Sequence, residues 1–158
     1  DLAKEEDMRS FSGIKSQPLP LNEIKADEEP RINLIDAELN RVLGGGLVPA
    51  SVVLIGGEPG IGKSTLVLQT LLKLQHIRSL YVSGEESARQ IKLRADRIGI
   101  QNDNCLIVCE TNLDQIFTHI KNTLPGLVVI DSIQTVLARR WNRHPEAFPR
   151  CANALFRF

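Results

Sequence analysis

Residues 57–64 read Gly57-Glu58-Pro59-Gly60-Ile61-Gly62-Lys63-Ser64 and meet the pattern G-x-x-x-x-G-K-[ST] in full, with Thr65 next. The chemistry such a stretch can do is to hold the phosphates of a nucleotide. Its glycines reach backbone conformations closed to other residues and carry no side chain to collide with a triphosphate. Successive backbone N–H groups then converge at a helix N-terminus, a ready site for an anion. Gly57, Glu58, Pro59, Gly60, Ile61, Gly62, Lys63, Ser64 and Thr65 are therefore the expected ATP-binding residues. Within them, Lys63 would reach the β- and γ-phosphates and assist catalysis, and the Ser64 hydroxyl would ligate Mg²⁺.

Three further groups could complete that chemistry. Leu127-Val128-Val129-Ile130-Asp131 is four apolar residues closed by an aspartate. A parallel strand buried on both faces has use for a charge only at its carboxyl end, where open α/β sheets bind ligands. Asp131 is thus the expected second Mg²⁺ residue, opposite Ser64. Glu85 and Glu86 follow the apolar run Ser79–Ser83, so at least one carboxylate faces the same crevice and could activate a water. Ser132 and Gln134, just past Asp131, are candidate sensors of the γ-phosphate. Arg139-Arg140-Trp141-Asn142-Arg143-His144 mixes basic and aromatic groups, a composition that either contacts nucleic acid or forms a solvated loop. The three histidines show no metal-ligand spacing.

Positioning these groups takes alternating strands and helices. Ser51–Ile55 reads as a buried strand before the phosphate loop, and Leu66–Leu72 as the helix after it. Ser79–Ser83, Cys105–Cys109 and Leu127–Asp131 read as three more strands. Between them lie two amphipathic helices. In the first, Ser87 and Gln90 form a capping box, Ile91, Ala95 and Ile98 share one face, and Gly99 closes the helix. Thr111 with Asp114 opens the second, whose stripe is Leu113, Ile116, Phe117, Ile120 and Leu124, ending at Pro125-Gly126. A shorter helix covers Leu34–Leu43 and stops at Gly44-Gly45-Gly46. The pattern is α/β, a mostly parallel sheet with helices on both faces.

At 158 residues the chain holds at most one domain, and its formal net charge of zero argues neither for nor against nucleic acid. Charge is uneven along it: residues 1–30 carry eight acidic and four basic side chains, and 137–158 carry five Arg against one Glu. The division expected is a polar arm over 1–30, a core over 31–136 and a divergent basic tail over 137–158 that ends inside a helix. Without an 18-residue apolar run or a signal peptide, the chain reads as soluble and intracellular, with no membrane partner. Cys105 and Cys109 fall on one face of a strand and read, with Cys151, as buried thiols.

Taken together, Asn40–Gly46, Leu54–Leu66, Tyr81–Ser87, Gln90–Gly99 and Val129–Thr135 resemble the RadA (Sms) family of bacterial DNA-repair ATPases. The resemblance implies a RecA-like P-loop NTPase core, incomplete at its C-terminal side. It further implies an ATPase that uses ATP and Mg²⁺, binds single-stranded DNA and recombination intermediates, forms homo-oligomeric rings and works in the bacterial cytoplasm. The resemblance also implies that Glu85 aligns with the catalytic glutamate of the RecA-like class. Zinc belongs in this family to an N-terminal four-Cys finger, which these 158 residues do not include. Ala50 stands where the family usually has Gly. Two other readings fit the same residues: a truncated, non-hydrolysing nucleotide-binding remnant, and a KaiC-type ATPase acting on a protein partner.

Overall fold

Three of the apolar runs become strands with the expected bounds: β1 (Ser79–Ser83), β2 (Cys105–Cys109) and β3 (Leu127–Asp131). They form a parallel sheet in the order β2-β1-β3. The computed structural model describes Pro20, Glu23 and residues 30–136. Most of the 1–30 arm and all of the 137–158 tail, with Arg139–His144 and Cys151, lie outside the described residues.

The pairing runs Ser79 with Cys105 and Leu127, through to Ser83 with Cys109 and Asp131, so all three strands end level. Because strand side chains alternate, this register sorts them onto two faces. Tyr81, Cys105, Leu127 and Val129 pack on one face against Leu68, Leu71 and Leu72 of α2 (Lys63–Lys73) and Ile91 of α3 (Ala88–Ile98). On the other, Leu80, Val82, Leu106, Val108, Val128 and Ile130 pack against Leu113 and Ile116 of α4 (Leu113–Thr123) and against Val136. The central strand β1 is buried along its whole length. Helices therefore cover both faces of an α/β sheet.

Helix ends follow the local chemistry. The Ser87–Gln90 capping box opens α3 and Gly99, left-handed at φ 76°, closes it. The short α1 (Ala37–Val42) is capped by Asp36, which accepts from the Leu39 amide, and Gly44 follows it at φ 71°. A single antiparallel bridge, Ile32 to Leu47, ties this region together.

Four expectations need correction. Ser51–Ile55 is not a strand: it is exposed, and none of the three strands pairs with it. It has strand composition but no ladder partner among the described residues, and without one its backbone gains nothing by extending into a sheet. Asn112, not Thr111, caps α4, because its side chain accepts from the Asp114 amide. Leu124 leaves the stripe, since it sits past the last turn in a left-handed conformation (φ 46°) and is exposed; Phe117 is also exposed at the flank. Cys109 is exposed rather than buried because β2 is an edge strand; burial of its neighbour Cys105 pushes that thiol upward in pKa, against a smaller effect of Ser79.

Candidate functional site

The phosphate-loop pattern folds into a turn that leads directly into α2. Gly62 stands at the helix N-cap with φ 96° and Gly60 is left-handed at φ 82°, conformations that any side chain would strain. No side chain caps the helix. Its first amides, from Lys63 to Thr65, are therefore left to an anion and the helix dipole. A Cβ on Gly57 would lie 2.5 Å from Ile61 Cδ1, so the exposed Ile61 side chain would have to turn aside. Lys63 curls over the loop and donates from Nζ to the Gly57 and Glu58 carbonyls, both at 2.8 Å.

A cavity of about 240 Å³ opens beside the start of α2, lined by Ser64, Ser83, Glu85, Glu86 and Asp131. Three separate stretches of sequence meet in it. The level strand ends put Asp131 beside Ser83, and the chain leaving β1 carries Glu85 and Glu86 over the same edge. The turn there is tight, with the Gly84 amide donating to Asp131 O at 2.9 Å. A Cβ on Gly84 would fall on the Thr135 side chain, 2.8 Å from its Cβ, so only glycine lets these two loops touch.

The two glutamates are held differently. Glu85 is exposed and accepts at Oε1 from Ser132 Oγ at 2.8 Å. Glu86 forms an ion pair with Arg94 of α3, whose side chain is mostly buried. Its amide donates to Ser83 Oγ at 3.0 Å. Asp131 accepts at Oδ2 from the Tyr81 hydroxyl. Burial first, and the adjacent Asp131 second, hold that hydroxyl well above the ordinary tyrosine range.

Ser64, Glu85, Glu86 and Asp131 are thus brought together, while Glu58, Pro59, Gly60, Ile61 and Gly62 form the exposed loop before α2, and Thr65 lies exposed in its first turn. Ser132 reaches the site through Glu85. Gln134 does not: it is exposed, in a helical turn after β3, and does not line the cavity. Sequence reasoning missed Ser83, Gly84, Tyr81 and Arg94. The signal for Tyr81 was its place inside a strand two residues before the carboxyl-end Ser83, on the same face.

Among the described residues no group of three or more His, Cys, Asp or Glu could cage a metal ion. One hydroxyl and one carboxylate across a cavity fit Mg²⁺ instead, which keeps several waters and takes most other ligands from phosphates. No helix among the described residues is long and apolar enough to cross a membrane.

Residues 17–158 match the family model described as AAA domain. The chain is 50% identical over 129 residues to the DNA repair protein RadA of Halalkalibacterium halodurans, covering 80% of this chain and 28% of that protein. It is 52% identical over 122 residues to RadA of Bacillus subtilis, covering 76% and 27%. With RadA of Streptococcus pneumoniae the identity is 47% over 130 residues, covering 82% and 31%. The chain spans less than a third of the length of these curated relatives. It belongs to the AAA-domain family, as a RecA-like P-loop core similar to part of the bacterial DNA repair protein RadA.

Proposed function

We propose that this chain is the ATP-binding and ATP-hydrolysing core of a RadA-type repair ATPase. Residues 31–136 would be that core, with 1–30 as an arm and 137–158 as a basic tail. The whole protein would act on single-stranded or branched DNA in recombinational repair, as a homo-oligomeric ring in the bacterial cytoplasm. One observation carries the reading: Ser64, Glu85 and Asp131, from three distant stretches, line one cavity at the start of α2. The names of the relatives, DNA repair proteins, supply the biological setting.

In this reading the amides from Gly60 to Thr65 hold the phosphates, and Lys63 exchanges its two carbonyl partners for phosphate oxygens. Ser64 Oγ and Asp131 would hold Mg²⁺, which would supply positive charge against the phosphate oxygens. Glu85 is the base. Its Oε1 is anchored by Ser132, which leaves Oε2 to take a proton from water. Glu86 is spent on Arg94, so it is the weaker candidate of the pair.

The test uses the full-length protein. Lys63→Ala should remove most MgATP affinity in a titration with labelled nucleotide. Glu85→Gln should bind ATP normally and lose about a hundredfold or more in steady-state turnover, with Glu86→Gln milder. Equal ATP affinity in the wild type and Lys63→Ala overturns the nucleotide assignment. A larger turnover loss in Glu86→Gln than in Glu85→Gln overturns the choice of base.

A further inference from the structure

Below the cavity floor runs a line of polar groups that the proposed chemistry does not use. Tyr81 pairs in register with Val129, and Asp131 lies two residues further along β3 on the same face. That makes Tyr81 and Asp131 diagonal neighbours, a distance an aromatic side chain can span. The Tyr81 ring is fully buried among Leu68, Leu71, Leu72 and Ile91, so its hydroxyl can move little. It ends at Asp131 Oδ2.

Arg94 of α3 lies near the same hydroxyl and pairs with Glu86. A guanidinium has donors only, so it leaves the Tyr81 proton to an acceptor. Asp131 is that acceptor, through Oδ2.

We infer that Tyr81, oriented by Arg94, is a positioning residue that holds the Asp131 carboxylate for the Mg²⁺ of a bound nucleotide. This rests on the proposed ATP site and adds to it a device that spans β1, β3 and α3. The same arrangement explains why two adjacent glutamates differ. Arg94 draws Glu86 toward α3 and into the line that sets Asp131, while Glu85 stays at the cavity mouth with Ser132.

The experiment is a Mg²⁺ titration of fluorescent ATP binding to the full-length protein, with a matched measurement in EDTA. Tyr81→Phe keeps the ring and removes the hydroxyl. Its affinity for nucleotide in EDTA should equal that of the wild type, which also reports an intact fold. The Mg²⁺ concentration for half-maximal binding should rise about tenfold, the low end for losing a partner that orients a metal ligand. In an Asp131→Ala background the same change should add nothing, because Tyr81 acts only through that carboxylate. An unchanged Mg²⁺ requirement in Tyr81→Phe overturns the inference, as does an equal shift in both backgrounds, which would mark Tyr81 as packing alone. Should Tyr81→Phe fail to fold, Arg94→Met takes its place and must raise the Mg²⁺ requirement in the same way. A wild type whose nucleotide binding ignores Mg²⁺ overturns the proposed ATP site itself, which is a different result.

Discussion

Ser51-Val52-Val53-Leu54-Ile55 and Leu127-Val128-Val129-Ile130-Asp131 are close to the same peptide in composition, yet the molecule treats them in opposite ways. The second is hydrogen-bonded along β1 in strict register and packed on both faces. The first lies exposed with no strand beside it among the described residues, Leu54 as much as 80% accessible. Both have the β-branched content that favours sheets. What separates them is a neighbour. Strand propensity describes how well a residue fits a pleated, half-buried surface, and it has nothing to act on until another strand supplies that surface. The same contrast runs through the candidate site, whose sheet half is locked by packing while its loop half is held by backbone conformation.

Matched substitutions can break or sharpen this comparison. The largest effect is expected from a charge. Val82→Asp places a carboxylate at a position with no accessible surface and no partner, and should cost more than about 4 kcal/mol, enough to abolish folding. Leu54→Asp should stay within about 0.5 kcal/mol. Soluble yield and urea midpoints of the full-length protein measure both; similar losses would mean that Ser51–Ile55 is packed after all.

A smaller effect comes from one methyl group. Gly84→Ala drives a Cβ into Thr135 and should cost about 1–3 kcal/mol, with a fall in ATP turnover because Glu85 sits next to it. Gly56→Ala meets nothing within 4 Å and needs no unusual backbone, so it should be silent in both assays. The smallest effect has the opposite sign. Ala50 is left-handed at φ 58°, a conformation that glycine adopts without strain. Ala50→Gly should stabilise the protein by up to about 1 kcal/mol, read as a raised urea midpoint.

Much of the fold was legible because local chemistry decided it. The three strands kept their bounds, the Ser87–Gln90 box opened its helix, and Gly99 closed it. The level strand ends, which bring Asp131 to Ser83, follow from a parallel sheet with strands of equal length. Other features depend on groups far apart in sequence. Nothing near Ser51 announces the lack of a ladder partner. Asn112 outcompetes Thr111 by geometry, since both side chains can cap. Tyr81 finds Asp131 fifty residues away. The phosphate loop and Asp131 could be named from their patterns; the groups that hold the carboxylates could not.

The sorting of β3 into two faces bears on how the gene can vary in length. Val129 and Asp131 point to the α2 side, Val128 and Ile130 to the α4 side. Inserting one codon within Leu127–Ile130 would leave composition almost unchanged but exchange the two sets. The carboxylate would then be delivered to the apolar layer under α4, and an aliphatic side chain to the place beside Tyr81. Point substitutions among Val, Ile and Leu are mild here by comparison. Length changes in this strand are tolerable only in steps of two residues, so indels should be under far tighter constraint than the permissive apolar alphabet of β3 suggests.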